Sequence, residues 1–388
     1  MESLFATITS DMELLRYIGE KKQPYSEEPL GKLYVLAYVW LTYFDMRPIQ
    51  ERMPLRFEEL KEDPYNKQLE KMHETFVPKL CANLFRKMMS LPRYRESVLL
   101  AYEHLIEPSQ DLQFGALAIQ AGERIVIGFE GTDLSYVGWK EDCIMSYSDS
   151  IASYQLAKAF TEKVMERFPD KKVILAGHSK GGNVAAYVLS ALEDDTRIEA
   201  AYSFEGPGFH SSSIFAAHPE REKKLFKYIP QSSVVGVLLC NETNVRIVKS
   251  RSVGIFQHNT FKWQIIGDDF VYLSKRSMSS RYIDKAVNGW IATLSEDERR
   301  RFVRLVFNML DNSKARDFRT LVRGIFMEMP TLNQAYKQMG AEDKTFFDVA
   351  LKNLQRISVR TFKEEALAYI KSTWGGIGRL SKAKKQGE

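Results

Sequence analysis

The spacing of hydrophobic residues changes twice along this 388-residue chain. Up to about residue 105, apolar residues recur at helical spacing, most clearly at 60–72 and 79–89. From residue 113 to 268, short apolar runs alternate with helical stripes, which is typical of a mostly parallel sheet covered by helices on both faces. Beyond about residue 275 no strand pattern remains. The pattern therefore predicts an α/β core between two helical segments.

These changes predict three parts of the chain. Residues 1–105 form an N-terminal helical cap or support, residues 106–272 form the α/β core, and residues 273–388 form a helical domain with a basic tail. The apolar stretch at 34–44 is shorter than the about 20 residues that a membrane-spanning helix needs. We therefore expect a buried helix there.

Five strands and two helices of the chain are predicted from local signals. The strands are residues 124–129, 173–176, 200–204, 225–229 and 245–248. An apolar stripe over residues 154–164 predicts a helix before the second strand. A capping box at Ser295 and Glu298 predicts the start of a helix in the C-terminal segment.

A glycine-rich turn, GHSKGG at residues 177–182, joins the strand at 173–176 to a helix of small residues. A serine on such a sharp turn is held in strained backbone geometry and needs glycine two positions to either side, where Gly177 and Gly181 stand. The alternative for the bare motif is a turn with an incidental serine. Because a strand and a closely packing helix flank the turn, we predict that Ser179 is a nucleophile.

A serine hydroxyl needs a base to remove its proton, and histidine is the usual base. In α/β hydrolases the histidine follows the last core strand, which leaves His210, His218 and His258 as candidates. His258 follows the last predicted strand and is our candidate base. His210 and His218 follow the preceding strand too closely, so we expect surface histidines. His178 is expected to pack beside the serine.

The acid of the triad is harder to predict. The usual loop, after the strand at 225–229, reads Gln231-Ser232-Ser233 and contains no carboxylate. Glu205 ends the strand before it and is our candidate, because the hydrogen bond to the base matters more than the position in the chain. Two alternatives stay open. Glu205 could be a turn residue that bonds backbone amides, or Ser232 or Ser233 could orient the histidine without charge.

An oxyanion hole needs two backbone N–H groups aimed at the oxygen that becomes negatively charged. Lys180 supplies one by its position after the serine. Thr132 is our candidate for the other, since it follows the strand at 124–129, and its hydroxyl could itself bond the oxyanion. The alternative is a plain hairpin turn. We expect residues 139–142 to support this loop.

Several short motifs together resemble the Mbeg-like domain family, which is itself similar to class 3 lipases within the α/β-hydrolase fold. They are Gly-Thr-Asp at 131–133, VGWKED at 137–142, GHSKGGN at 177–183, GPGF at 206–209 and Gln-His at 257–258. The resemblance covers about residues 80–270. It implies an α/β-hydrolase core with Ser179 as nucleophile, His258 as base and Thr132 at the oxyanion hole.

Three positions of this chain depart from the pattern of the family. The family commonly shows arginine where Glu130 stands and aspartate where Glu205 and Asn259 stand. The change at Asn259 removes one carboxylate that could have served His258 as the acid. The resemblance implies a reaction class and no particular substrate.

Composition and charge limit the setting. Cys81, Cys143 and Cys240 are odd in number and widely spaced, which favours reduced thiols in the cytoplasm over a disulfide framework or a zinc site. The N-terminus lacks the basic and apolar segments of a secretory signal. Residues 271–388 carry a net charge of +10, whereas residues 1–270 carry −5. A solvated helical surface produces such asymmetry more often than a nucleic-acid or lipid surface does.

These observations predict a cytoplasmic serine hydrolase that cleaves a lipid or other small-molecule acyl ester and needs no cofactor or metal. The alternative is a catalytically weak or inactive hydrolase-like scaffold that binds an anionic membrane through its basic helical domain. We expect no nucleic-acid partner, because no recognition motif accompanies the positive charge.

Overall fold

A computed structural model of the protein describes residues 12–21, 30–69, 77–133, 135–211, 214–240, 244–311 and 329–384. Within these residues nine strands form one sheet in the order β1-β2-β3-β4-β5-β6-β7-β8-β11. They are β1 Leu55–Arg56, β2 Val98–Glu107, β3 Leu112–Ala121, β4 Arg124–Phe129, β5 Lys172–His178, β6 Ile198–Phe204, β7 Leu225–Pro230, β8 Val245–Val248 and β11 Tyr272–Leu273. Strands β9 Ile265–Ile266 and β10 Asp269–Phe270 form a separate hairpin.

Strands β4 to β8 are parallel to one another, and antiparallel strands flank them on both sides. All five predicted strands lie in this parallel part, so the predicted α/β class with a mostly parallel central sheet is confirmed. Strand β2 was not predicted. It pairs with β3 from residue 98 to residue 107, so the predicted boundary at residue 105 falls inside a strand of the sheet.

Helices lie before, between and after the strands. Among the described residues, four helices precede β2: α1 Glu13–Glu20, α2 Lys32–Val39, α3 Arg47–Gln50 and α4 Pro78–Ser90. Three connect core strands: α5 Tyr136–Ile144, α6 Ala152–Arg167 and α7 Lys180–Ala191. The last are α8 Met278–Ile283, α9 Gly289–Ile291, α10 Glu296–Asp311, α11 Met329–Gln338 and α12 Ala341–Lys384. None of the helices described is long and apolar enough to span a membrane.

Two helical predictions for the N-terminal segment have different outcomes. The stretch at 34–44 is a buried helix as predicted, formed by α2 and the 3-10 turn Trp40–Tyr43. The predicted helix at 60–72 is wrong over the described residues, where two 3-10 turns, Phe57–Leu60 and Pro64–Gln68, replace it. Pro64 lacks a backbone N–H and cannot continue a helix. Residues 70–72 lie outside the described residues.

The two faces of the sheet bury two separate hydrophobic clusters. Along β5, Ile174 and Ala176 face the cluster formed with the N-terminal helices, whereas Val173 and Leu175 face the cluster formed with α6 and α7. This alternation follows from the two-residue period of a strand. Because β5 is covered on both faces, the turn that follows it has a rigid base.

The C-terminal helices pack against the core. The predicted capping box is present, since Ser295 N donates to Glu298 Oε2 (2.8 Å) and Glu298 N donates to Ser295 Oγ (3.3 Å). Helix α10 contacts α5 through Tyr136, whose hydroxyl donates to Phe307 O (3.0 Å). The helical segment is therefore joined to the element that follows the predicted oxyanion loop.

Candidate active site

Ser179 lies at a sharp turn between β5 and α7. Its φ of 57° and ψ of −130° belong to a region that costs a non-glycine residue about 1–3 kcal/mol. A Cβ atom on Gly177 would overlap the Gly181 backbone, and one on Gly181 would overlap the Phe129 carbonyl. The glycines therefore allow α7 and β4 to approach the turn so closely that the serine stays in its strained conformation.

His258 lies beside this turn. It ends the 3-10 turn Gly254–His258, which follows β8, and its ring centroid is 4.4 Å from that of His178. The loop is held in place by Gln257, whose carbonyl accepts from Trp263 Nε1 (2.8 Å) and whose Oε1 accepts from Ser232 N (2.8 Å). His258, which was predicted from chain order, therefore lies next to His178, the residue that precedes Ser179.

His178 connects the turn to the loop of His258. Its Nε2 is 2.9 Å from His258 O, so this nitrogen carries the proton and donates it. Its Nδ1 then accepts from the Tyr43 hydroxyl (3.3 Å). Burial, followed by the nearby His258, holds the pKa of His178 well below its ordinary value, so the ring is neutral. His178 packs beside the serine as expected, and it also fixes the backbone of His258.

Glu205 is buried at the end of β6, with a φ of 55°. Its Oε1 lies 3.9 Å from His258 Nδ1 and accepts from Ser233 Oγ (2.9 Å) and Gly236 N (3.4 Å). Among the described residues, Glu205 Oε2 and His258 Nδ1 have no hydrogen-bond partner. The carboxylate therefore lies one small shift away from a hydrogen bond to the histidine. Ser233 bonds the carboxylate rather than the ring.

The other two candidate histidines make different contacts. His210 Nδ1 lies 3.1 Å from an Arg299 nitrogen and 3.1 Å from Ser146 O. His218 is paired with Glu220 at 3.4 Å, and about half of its side chain is exposed. His210 is therefore held between the core and α10, and His218 lies at the surface. His258, in contrast, faces Glu205.

The loop after β4 lies against the serine turn. A Cβ atom on Gly131 would be 2.6 Å from His178 O and 3.3 Å from Ser179 Cβ, so only glycine allows this approach. Thr132 follows, and its hydroxyl donates to Asp142 Oδ2 (2.7 Å). This contact engages the proton of the hydroxyl, so the expectation that the hydroxyl itself bonds the oxyanion gains no support here and stays a prediction. The backbone N–H of Thr132 remains the candidate donor.

The side chain of Lys180 is buried beneath this loop, although only its backbone N–H was considered from the sequence. Its Nζ donates to Glu141 Oε2 (2.8 Å) and to Gln113 O (2.6 Å). Glu141 also accepts from Gln113 N (3.2 Å) and Ser153 N (3.0 Å). Burial alone would lower the pKa of Lys180, but the neighbouring carboxylates, Glu141 first, raise it, so the ammonium stays charged. This network ties the serine turn to β3 and α5.

Asp142 is the support of Thr132. Burial raises the pKa of Asp142 to about 7, against the opposite effects of Lys180 and of the hydrogen bond from Thr132. Its Oδ1 is buried and has no hydrogen-bond partner in the described part of the chain. Residues 139–142 were expected to support the loop, and Asp142 and Glu141 do so by these contacts.

Glu130 stands at the position where the Mbeg-like domain family, which the motifs resemble, commonly has arginine. Its side chain is fully buried, and its Oε2 lies 3.5 Å from His104 Nε2 on β2. A Cβ atom on Gly115 would overlap this carboxylate. Glu130 thus packs between β2 and β3. Among all the residues that the structure describes, no group of three His, Cys, Asp or Glu side chains is placed to hold a metal ion.

The structure brings the five predicted site residues to one end of the parallel strands. A serine turn after β5, a histidine after β8 and helices on both faces of the sheet define the α/β-hydrolase fold. The chain belongs to the Mbeg1-like family, whose model matches residues 88–308. This match confirms the resemblance inferred from the motifs. The catalytic roles of Ser179, His258, Glu205, Thr132 and Lys180 stay predictions.

Solved lipase structures are similar to parts of the chain at low identity. Lip2 lipase of Yarrowia lipolytica is 12% identical over 40% of this chain and 67% of its own, with a TM-score of 0.29. Rhizomucor miehei lipase in a propeptide complex is 12% identical over 56% and 68%, with a TM-score of 0.34. Lipase II of Rhizopus niveus is 13% identical over 50% and 81%, with a TM-score of 0.32. No curated protein matches the chain.

The close packing of the turn predicts a large effect of adding one methyl group. G181A should lower the free energy of unfolding by about 3 kcal/mol, because the new Cβ meets rigid backbone of β4. G289A is the matched control. Its Cβ would lie 3.7 Å from Ile357 Cγ2, an ordinary contact, so it should be neutral or stabilise by about 0.5–1 kcal/mol. Denaturant unfolding measures both; equal effects would contradict the packing described.

The pKa of Asp142 predicts a pH dependence of stability. The carboxyl has a pKa near 3.8 when unperturbed and about 7 in the folded protein, so the folded state binds this proton more tightly between the two values. The contribution of this group to the free energy of unfolding therefore falls as the pH rises from about 4 to 7.

D142N removes this contribution. The Tm of D142N minus that of the wild type should become more positive between about pH 5 and pH 8. Thermal unfolding of both proteins measures this difference, with D149N, a change at an exposed aspartate, as the control. A difference for D142N that does not vary with pH would show that Asp142 titrates in its ordinary range.

Proposed function

We propose that this protein is a serine hydrolase that cleaves an acyl ester through an acyl-enzyme on Ser179. The observation that supports the proposal best is the backbone of Ser179, with its φ of 57°. A strained serine between a strand and a helix N-terminus serves to expose the hydroxyl above the sheet. The neighbouring His258 and the close approach of Gly131 supply the surroundings that such a nucleophile needs.

In the proposed reaction, Ser179 Oγ attacks the ester carbonyl while His258 takes the hydroxyl proton. Since Nδ1 of His258 faces Glu205, Nε2 is the nitrogen assigned to this transfer. The carbonyl oxygen becomes negative and is bound by the backbone N–H groups of Lys180 and Thr132. His258 then gives the proton to the leaving alcohol, and water cleaves the acyl-enzyme by the same steps.

Glu205 is the proposed acid. When His258 takes up a proton, it becomes a cation 3.9 Å from a buried carboxylate oxygen. The attraction between opposite charges is strong in such a water-poor setting. The imidazolium is therefore expected to move toward Glu205 and to close the hydrogen bond, which stabilises the charged form of the base.

His178 is proposed to hold the base in place during these steps. Its hydrogen bond to His258 O fixes the backbone of the base, and its burial keeps its own ring neutral. A second charged imidazole would oppose the protonation of His258 by repulsion.

The substrate class that we propose is a lipid or other acyl ester, and the scheme uses protein groups and water only. The free thiols Cys81, Cys143 and Cys240 support a cytoplasmic location.

The first test is covalent labelling of the nucleophile. A fluorophosphonate probe should label the wild type once, on Ser179, and S179A should not be labelled. S190A is a matched control, because Ser190 lies on α7 and its hydroxyl donates to Tyr187 O of the same helix; it should be labelled like the wild type. Failure of the folded wild type to react would favour the alternative, a hydrolase-like scaffold without turnover.

The second test addresses the acid. E205Q should lower kcat on a p-nitrophenyl ester by about 10²–10⁴ with little change in KM, because the neutral amide cannot stabilise the imidazolium. E199Q is the matched control. Glu199 lies on the same strand and pairs with Arg124 away from the histidine. Equal kinetics for E205Q and the wild type would contradict the assignment of Glu205.

A further inference from the structure

The loop before His258 holds three large apolar side chains in solvent. Val253 is 75% exposed, Ile255 51% and Phe256 73%. They occupy three of four consecutive positions, and Phe256 is two residues from the proposed base. Gly254, between them, has a φ of 54° and open space where a Cβ would lie. The apolar tip, as we call residues 253–256, therefore protrudes from the edge of the candidate site.

The apolar tip is held by ordered contacts at both of its ends. On one side, Arg251 N donates to Lys262 O (3.0 Å) and Ser252 N donates to Ser250 Oγ (3.2 Å). On the other, Gln257 Nε2 donates to Ser252 O (2.6 Å), which closes the loop at its base. The loop is therefore ordered by hydrogen bonds, and its conformation keeps the three side chains exposed to solvent.

The chain segment that contains the apolar tip, residues 249–275, carries uncompensated positive charge. The two acidic residues of segment 249–275 are neutralised, since Asp268 pairs with Lys21 and Asp269 with Lys32. Three basic residues of the same segment have no ion-pair partner in the described ranges: Lys249, Lys262 and Lys275. An exposed apolar tip within a basic segment is the combination that favours an anionic lipid surface.

We propose that the apolar tip inserts into the surface of an anionic bilayer and so brings the candidate site to lipid substrates. This inference deepens the proposed function and rests on it, because insertion would give the candidate site access to a lipid ester. Val253, Ile255 and Phe256 enter the boundary between headgroups and acyl chains. Lys249, Lys262 and Lys275 remain among the headgroups, where each contributes on the order of fivefold to partitioning.

A lipid surface fits the apolar tip better than a second copy of the chain does. A stable protein–protein complex buries about 800 Å² on each partner. Three partly exposed side chains on a narrow loop provide much less than that. A fluid bilayer needs no complementary pocket, because it adapts to a protruding loop and buries its apolar atoms directly.

The test uses the full chain with S179A, so that the vesicle lipids are not consumed. Flotation with phosphatidylcholine vesicles containing about one third phosphatidylglycerol should show binding that weakens as salt increases. V253S/F256S in this background should reduce the partition coefficient at least tenfold. V359S/F362S is the matched control, because it removes one valine and one phenylalanine, 51% and 55% exposed, from α12. It should bind like the parent.

The outcomes separate this inference from its alternatives. Loss of binding by V359S/F362S with normal binding by V253S/F256S would overturn it in favour of the helical domain. Absence of vesicle binding by the parent would also overturn it, as would a dimer in sedimentation that V253S/F256S dissociates. Matching melting temperatures of the variants exclude unfolding. Since vesicle binding is measured without turnover, failure of probe labelling at Ser179 leaves this result interpretable.

Discussion

The close approach of backbone to backbone around Gly177, Gly181 and Gly131 is the constraint on which the rest of the site depends. These three positions allow no Cβ atom, because neighbouring backbone already fills the space. The packing holds Ser179 at a φ that it would not adopt alone. The strain is maintained by a sheet that is buried on both faces, with α7 on one side and the N-terminal helices on the other.

Buried polar groups then orient what the backbone brings together. The charged Lys180 joins the serine turn to Glu141 and Gln113. Asp142, which lies on α5 next to Glu141, holds Thr132. Breaking one partner of such a network would leave a buried charge without compensation, which is strongly destabilising. The loop proposed to bind the oxyanion is therefore held in place by protein contacts alone, which is the preorganisation that electrostatic stabilisation of a transition state requires.

Local signals in the sequence were enough to predict the parallel strands and the serine turn. Both depend on short segments, namely apolar runs and glycines at set distances from a serine. Chain order was enough to predict that His258, which follows the last core strand, lies beside the serine turn; its role as base stays a prediction. The irregular parts were harder: Pro64 interrupts what the apolar spacing indicates as one helix, and β2 carries apolar residues on both faces, which hides its two-residue period.

Contacts between distant residues were beyond the reach of sequence patterns. Lys180 reaches Gln113 across 67 positions, and His178 reaches His258 across 80. No local pattern in the sequence indicates which residues the Lys180 ammonium or the His178 ring contacts. Thr132 was identified as a candidate, but its hydroxyl serves Asp142. The exposure of the apolar tip likewise became visible only with the fold, because a run of apolar residues alone indicates burial.

The most direct measurement is a crystal structure of the protein after reaction with a phosphonate inhibitor. We expect phosphorus bonded to Ser179 Oγ, with the phosphoryl oxygen about 2.7–3.1 Å from the backbone nitrogens of Lys180 and Thr132. His258 should lie within hydrogen-bond distance of both Ser179 Oγ and Glu205. A phosphoryl oxygen directed away from those two nitrogens, or an adduct on another residue, would contradict the proposed site.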